Sequence, residues 1–411
     1  MRFRLMMYAV MLSIAAGGLS ALVAPQEAEA IPAFSRQTEK SCSTCHSAFP
    51  KLNQTGQNFR TNGFRFPEDK EWKDVQDLKH VPLSAEIEVE AEFNKDRSGN
   101  GGSNANNSQN SLLKIDEIEL LAGTPLGKTG RASGYGVVNF AEGNVGIGQA
   151  YAQINDLLGA TGHGLLNVKA GQFDIALPFL SHSQRVIKQR YYAQSQLGIL
   201  GARDRGTVGD ESEAQEFYNT AIEINGQMVG EESKDLTHRY AVGVFQPQGL
   251  NPTNNANLTN RLGDPGFYAT YALNFFENFN IGAIYKRDVV NNATLGVPDA
   301  KKALDKFGVA GEAKVGPFIA TLGYFRSEAV NARDLQNYMG EVLFIPDKQW
   351  VVGARVDHID QELAQSGTRT TAMGRYNITP SVFVQAEWRV TDGLNQSTDQ
   401  LRGRAFLVAL F

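Results

Sequence analysis

The sequence contains no long apolar run after its first 30 residues, and charged residues make up 20% of its 411 positions. A membrane-spanning helix needs about 20 consecutive apolar residues, so the sequence excludes such a helix beyond the N-terminus. A transmembrane β-barrel is not excluded, because only every second residue of its strands faces lipid.

Cysteine is also scarce, and acidic residues slightly outnumber basic ones. Both cysteines of the chain belong to one short motif, which excludes a disulfide framework. Residues 31 to 82 contain no methionine, so few side chains there can bind a soft metal ion. The net charge of −5 argues against nucleic acid as a partner, because nucleic-acid-binding domains carry basic surfaces.

Residues 1–30 have the features of a signal peptide. Arg2 and Arg4 give a charged start, Met6 to Val23 is mostly apolar, and Ala28 to Ala30 is a small-x-small cleavage site. The alternative is an uncleaved anchor helix, but glycine and serine interrupt the apolar core. We therefore expect the mature chain to begin near Ile31, outside the cytoplasm.

Cys42, Cys45 and His46 form a C-x-x-C-H motif, which is typical of covalent haem c attachment. The two thiols bind the haem vinyl groups, and the imidazole binds the iron as the proximal ligand. Three alternatives fit less well. A thioredoxin-like pair needs a βαβ setting, a zinc site needs a fourth nearby ligand, and a plain disulfide leaves His46 unexplained. The sequence predicts one haem c in a segment covering residues 31–80.

The sequence favours His80 as the second axial ligand of this haem. Besides His46, it is the only histidine between residues 31 and 82. A six-coordinate haem usually takes His or Met as its second ligand. Four residues of the later segments are alternatives, and so is a vacant or water-filled position. The four are His182, His238, Met339 and Met373.

From residue 81 onward, the sequence predicts a β-barrel. Leu83 to Phe93 alternates strictly between apolar and polar residues, which indicates a strand with two different faces. Sixteen segments of about ten residues, the length that spans a bilayer, follow this pattern. They lie near 83–93, 112–122, 131–140, 147–156, 165–175, 215–225, 236–246, 266–275, 278–287, 304–314, 317–326, 336–345, 348–359, 369–378, 380–391 and 402–411.

The connections between these segments alternate in length. Four short ones lie at 276–278, 314–317, 346–348 and 379–380, whereas 96–110, 175–214 and 246–265 are long. Short periplasmic turns and long extracellular loops are typical of bacterial outer-membrane barrels. An even strand number places both termini in the periplasm. A soluble β-sandwich, the alternative, has no reason for long loops on one side only.

Several parts of the N-terminal segment resemble the fused outer-membrane cytochrome–porins. These parts are Ile31 to Thr38, the haem motif, Phe49 to Asn53, Gly56 with Phe59, and Asn62 to Phe64. The resemblance covers about 35 residues and implies a monohaem cytochrome c segment fused to a barrel of about 16 strands. The family includes iron oxidases of Fe(II)-oxidising bacteria. In those oxidases more residues separate the haem histidine from the Phe-Pro element, so the donor stays open.

The resemblance, the motif and the barrel together predict outer-membrane electron transfer. The haem segment would plug the lumen, and electrons would pass between an extracellular donor or acceptor such as iron and a periplasmic c-type cytochrome. The activity would be that of an Fe(II):cytochrome c oxidoreductase or of an electron carrier. Two alternatives remain: a diffusion porin with an accessory haem domain, and a conduit serving a separate extracellular multihaem cytochrome.

Four carboxylates share the polar face of the first strand. Facing the lumen, they would either concentrate Fe(II) or another cation, or form part of an ordinary polar porin lumen. These residues are Glu86, Glu88, Glu90 and Glu92.

Overall fold

The computed structural model describes most of the chain after the predicted signal peptide. The described residues are 33–67, 82–98, 109–141, 144–159, 164–195, 197–200, 219–229, 236–246, 265–291, 301–328, 334–361, 366–392 and 398–411. The signal peptide and His80 therefore lie outside the described residues. None of the helices in these ranges is long and apolar enough to cross a membrane.

Within these residues, 16 antiparallel strands form a closed barrel, as the sequence predicts. Each strand pairs with its neighbours in the chain, and the last strand pairs with the first to close the sheet. The strands are β1 Leu83–Ser98, β2 Gln109–Leu126, β3 Ala132–Ala141, β4 Asn144–Ile154, β5 Asn167–Phe173, β6 Asn219–Val229, β7 Leu236–Gln246, β8 Gly266–Phe275, β9 Phe279–Asn291, β10 Lys301–Val315, β11 Phe318–Ser327, β12 Leu335–Phe344, β13 Trp350–Gln361, β14 Gly367–Thr379, β15 Val382–Asp392 and β16 Thr398–Leu410.

The alternating pattern of the sequence corresponds to the two faces of the barrel wall. Along β8, Tyr268 and Thr270 are buried in the lumen, whereas Phe267 and Tyr271 are exposed on the outer face. Exposed apolar residues recur in the same way on the other strands. The outer face is therefore apolar, which suits contact with lipid.

The N-terminal residues 33–67, called the plug below, form small elements inside the barrel. They comprise α1 Ala33–Thr38, α2 Cys42–Cys45 and α3 Gln54–Thr61. A short hairpin of His46–Ala48 and Lys51–Leu52 connects α2 to α3.

A second part of the chain, residues 174–195 and 197–200, also folds into the barrel and is called the lumenal segment. It contains a 3-10 turn at His182–Gln184 and the helix α4 Tyr192–Ser195. The sequence predicts a long external loop at 175–214, and the structure differs for the described part of that range. The reason is the large number of apolar side chains that pack in the lumen, among them Ile175, Leu177, Phe179, Leu180, Tyr191, Leu197, Ile199 and Leu200.

Candidate functional site

Cys42, Cys45 and His46 lie together on the plug. The two cysteines begin and end α2, and residues three apart lie on the same face of a helix. Neither forms a disulfide bond. Both cysteines and His46 line one cavity of about 330 Å³. The motif predicted from the sequence is therefore assembled at the wall of a cavity.

Asn53 connects the helix that carries the cysteines to the next helix. Its side chain accepts a hydrogen bond from Gly56 N (3.0 Å) and so caps the N-terminus of α3. Its amide donates to the Thr44 carbonyl (3.0 Å), and its backbone N–H donates to the Cys45 carbonyl (2.9 Å). Asn53 thereby orients the end of α2.

The His46 ring has one tautomer that satisfies its neighbours. Nδ1 lies 3.2 Å from the Pro50 carbonyl, and because a carbonyl only accepts, Nδ1 carries the proton. Burial lowers the pKa of His46 to about 4, although backbone groups of Pro50 and Lys51 oppose the shift. The ring is therefore neutral at pH 7 and presents the lone pair of Nε2, the form in which histidine binds metals.

The two thiols are protonated at neutral pH. Burial raises the pKa of Cys42, and it raises that of Cys45 to about 11 despite the nearby Lys40. A redox-active cysteine pair instead has a lowered pKa. The surroundings of these thiols consequently do not match a thioredoxin-like function.

Aromatic rings form much of the cavity wall. Phe34 packs edge-on against Phe59 with 5.4 Å between ring centroids, and Phe59 lies 4.6 Å from Phe66. The barrel adds rings from β3 and β4. The aromatic residues that line the cavity are Phe34, Phe49, Phe59, Phe64, Phe66, Tyr135, Tyr151 and Phe383.

Cationic side chains line the same cavity. Arg60 comes from α3 of the plug, while Arg185 and Lys188 come from the lumenal segment. Burial alone would lower the pKa of Lys188, but Glu88 and Glu86 raise it, so the ammonium stays charged. The cavity thus combines an apolar aromatic wall with charged groups of both signs, because Glu86, Glu117 and Glu119 line it as well.

The four carboxylates of β1 point into the barrel, as predicted, but each lies close to a lysine or arginine. This pairing neutralises the surface, so it supports the interpretation as an ordinary polar lumen over that of a cation-concentrating surface. The pairs are Glu86–Lys188 (3.6 Å), Glu88–Lys188, Glu90–Arg404, Glu90–Lys114 (3.6 Å) and Glu92–Arg402 (3.7 Å).

Polar contacts attach the plug to opposite parts of the barrel wall. Lys51 forms a buried ion pair with Glu312 of β10 (2.5 Å). Arg65 pairs with Asp156, which follows β4 (2.7 Å). Further hydrogen bonds reach β7 and β14, namely Arg239 to Gln54 (2.9 Å) and Arg375 to the Phe49 carbonyl. The plug therefore lies within the barrel.

Sequence reasoning missed the lumenal segment as a contributor to this site. Its residues His182 and Arg185 line the cavity beside the cysteines. The available signal was composition, because 175–200 holds more large apolar side chains than an exposed loop needs.

The other sequence-predicted ligands differ in position. His80 lies outside the described residues and stays a prediction. Met339 and Met373 are buried inside the barrel, but neither lines the cavity of the cysteines. His238 lies on the opposite face of β7 from the buried Thr237 and Arg239, and its Nδ1 is 2.6 Å from the hydroxyl of the exposed Tyr271.

The fold is that of outer-membrane porins. The chain is similar over 80% of its length to the outer-membrane channel DcaP of Acinetobacter baumannii (TM-score 0.54, 12% identity, 96% of that chain). It is similar over 80% of its length to an anion-selective porin from Comamonas acidovorans (TM-score 0.53, 10% identity, 98% of that chain). It is also similar over 80% of its length to OmpF of Salmonella typhi in complex with daunomycin (TM-score 0.52, 13% identity, 97% of that chain).

At these identities the likeness shows the fold alone. No protein-family model matches the sequence, and no curated protein matches it.

Proposed function

We propose that this chain is a bacterial outer-membrane electron-transfer protein with one haem c attached through Cys42 and Cys45. The observation that carries the proposal is the placement of both thiols and the neutral His46 ring on one cavity inside a barrel. Haem iron supplies a one-electron Fe(III)/Fe(II) couple. The chain holds that couple in a lumen that crosses an insulating membrane about 30 Å thick.

The residues of the cavity fit haem c. Cys42 and Cys45 would hold the haem by thioether bonds, each from the addition of one thiol S–H across one vinyl group, for which no oxidant is needed. His46 Nε2 would bind the iron, and the Pro50 carbonyl keeps the ring in the tautomer that allows it. The aromatic wall suits a flat apolar macrocycle, and the guanidinium groups of Arg60 and Arg185 suit its two propionates.

The position of the cavity supports a periplasmic partner on one side. Ser84 at the start of β1, Pro380 in the short β14–β15 turn and Leu410 at the end of β16 all line it. The cavity thus lies at the short-turn end, which in bacterial barrels faces the periplasm. We propose that both termini are periplasmic and that a periplasmic c-type cytochrome exchanges electrons there.

The second partner is an extracellular donor or acceptor such as iron. In the oxidative direction, one Fe(II) becomes Fe(III), and its electron reduces one ferric haem of the periplasmic cytochrome to the ferrous state. This is Fe(II):cytochrome c oxidoreductase activity. The reverse flow would serve an extracellular acceptor. A measurement of the haem reduction potential would distinguish the two directions of electron flow, because a high potential favours iron oxidation.

A diffusion porin with an accessory haem domain is the second candidate, favoured by the fold of the neighbours. Against it stands the filling of the lumen by the plug and the lumenal segment. A conduit that needs a separate extracellular multihaem cytochrome is a third. The protein alone, inserted in vesicles, distinguishes these candidates by its solute flux and its electron transfer.

The first prediction is one thioether-linked haem per chain in the purified protein. A pyridine haemochrome assay measures it, and Cys42→Ala combined with Cys45→Ala should abolish it. In vesicles that enclose a ferric cytochrome c, external Fe(II) should reduce the enclosed protein only when the haem-loaded chain is present. Wild-type protein without thioether-linked haem would contradict the proposal.

A further inference from the structure

The residues that orient His46 lie in the turn of its own hairpin, at Phe49 and Pro50. The Pro50 carbonyl lies 3.2 Å from Nδ1 of His46, and the Phe49 ring packs against the imidazole with 5.3 Å between the ring centroids. A hydrogen bond on one ring nitrogen fixes the orientation of a metal-binding histidine. The position of this turn therefore determines the direction in which His46 Nε2 points.

The barrel wall holds this turn through Arg375 of β14. Arg375 is buried, and its Nη1 donates a hydrogen bond to the Phe49 carbonyl across 326 positions of the chain. Within the part of the chain that the structure describes, Arg375 is the wall side chain that hydrogen-bonds to Phe49 or Pro50. The Phe49 ring also lies 6.5 Å from the ring of Phe383 on β15. The wall thus contacts both the backbone and the side chain of the turn.

Each nitrogen of the Arg375 guanidinium has its own partner. Nε donates to Gln385 Oε1 (2.7 Å), Nη2 donates to the Val186 carbonyl of the lumenal segment (3.3 Å), and Nη1 takes the Phe49 carbonyl. The group also lies over the Phe383 ring, 4.0 Å from Cζ to the ring centroid. A planar guanidinium that is bound at three nitrogens and stacked on a ring has little freedom to move. It is consequently a rigid support for the turn.

We infer that Arg375 is a positioning residue for the proximal haem ligand, an inference that rests on the proposed function. It acts through Phe49 and Pro50, and it keeps the Pro50 carbonyl where it accepts the Nδ1–H of His46. Because the same guanidinium binds Val186, the position of His46 is also coupled to that of the lumenal segment.

The hydrogen bond at Nδ1 gives this role a measurable consequence, which is the haem reduction potential. The bond makes the imidazole more basic, and a more electron-donating axial ligand stabilises Fe(III) relative to Fe(II). Weakening the bond should therefore raise the reduction potential. Removing a nearby positive charge has the opposite sign, because a cation favours the less positive Fe(II) haem.

The reduction potential of the haem in the full-length protein tests the inference. Arg375→Lys keeps the charge but loses the planar fork of donors, so the turn loosens and the potential should shift upward. Arg375→Gln also loses the charge, and its upward shift should be smaller. The pyridine haemochrome assay should give equal amounts of thioether-linked haem per chain in all three proteins, which shows that attachment is intact.

Arg355→Lys is the matched control. Arg355 is also a buried arginine of the wall, and it donates to the carbonyls of Gln189 and Arg190 in the lumenal segment. Its ion pairs are with Glu341 and Asp357 of the wall. The substitution therefore disturbs the lumenal segment without releasing the turn beside His46, and it should leave the potential unchanged.

A milder variant provides a readout if Arg375→Lys does not fold. Gln385→Ala removes the acceptor of Arg375 Nε and leaves the arginine in place. The guanidinium then has one support fewer, so the potential should shift upward by less than in Arg375→Lys.

The outcomes that contradict the inference differ from the one that contradicts the proposed function. An unchanged or lowered potential in Arg375→Lys overturns the role of Arg375. An equal shift in Arg355→Lys also overturns it, because the cause would then be a general loosening of the lumen. Wild-type protein without thioether-linked haem overturns the proposed function itself.

Discussion

At the residue scale, Gly56 determines how closely α3 can approach the end of α2. A Cβ at this position would overlap the Cys45 carbonyl oxygen and lie 2.9 Å from Leu52. The Cys45 carbonyl is also the acceptor for the Asn53 N–H. The absence of a side chain at Gly56 therefore keeps Cys45 and His46 in register with the cap of α3.

We predict that Gly56→Ala displaces the end of α2 and lowers the yield of attached haem. In an ordinary helix this substitution is favourable, but the overlap with backbone atoms should cost about 1–3 kcal/mol, typical of overpacking. Haem per chain and thermal unfolding measure the two effects. Gly374→Ala is the matched control, because a Cβ at Gly374 meets nothing within 4 Å. Equal haem yields in both variants would contradict the prediction.

At the element scale, the lumenal segment has little regular structure, so its backbone needs partners on the barrel wall. Buried N–H and C=O groups must be paired. Arg375 Nη2 (3.3 Å) and Gln385 Nε2 (3.0 Å) donate to the Val186 carbonyl. Arg355 donates to the carbonyl of Gln189. It also donates to that of Arg190 (3.3 Å). The polar wall thus substitutes for a strand partner.

Glu387 of β15 supplies the complementary acceptor. Its carboxylate accepts hydrogen bonds from the backbone N–H groups of Lys188 (2.5 Å) and Gln189 (3.2 Å). We predict that Glu387→Ala leaves both N–H groups unpaired, at about 1–3 kcal/mol each, and loosens the segment. Single-channel recordings should then find a conductance above that of the wild type.

Two comparisons complete this experiment. Deleting residues 31–80 should raise conductance more sharply than Glu387→Ala. The deletion removes the whole plug from the lumen, whereas Glu387→Ala only loosens the lumenal segment. Asp392→Ala, an exposed residue at the end of the same strand, should have no effect. If the deletion leaves conductance unchanged, the plug does not block the pore.

At the scale of the whole molecule, three connections of only two or three residues lie at the same end of the barrel. These are residues 276–278, 316–317 and 380–381, each between two paired strands. The cavity of the cysteines lies at that same end. The proposed function requires haem c to be attached in the periplasm, so we expect this end of the barrel to face the periplasm.

We predict that cysteines introduced between Asp96 and Asn110 react with a membrane-impermeant thiol reagent on intact cells. Cysteines introduced between Pro346 and Lys348 should react only after the outer membrane is permeabilised. The physical reason is that the two regions lie at opposite ends of the barrel. The reverse labelling pattern would place both termini outside and contradict the proposed orientation.

The sequence alone determined the barrel and the attachment motif. Each of the 16 alternating segments corresponds to one strand, because period-2 alternation is a local consequence of a wall with lipid on one side. Leu83 to Phe93, for example, lies wholly within β1. The C-x-x-C-H motif is equally local, since its chemistry needs only neighbouring residues, and its haem remains a prediction for the assay above.

Only the tertiary structure decided what fills the lumen. The lumenal segment follows neither the strand period nor a long helix period. Its apolar composition disfavours an exposed loop, but its position is fixed by distant residues of the wall, such as Arg375 and Glu387, that satisfy its backbone. The same holds for His182, which shares a cavity with His46 through contacts spread over the plug, the lumenal segment and the wall. Such placements depend on packing between residues more than 100 positions apart, and no local pattern encodes them.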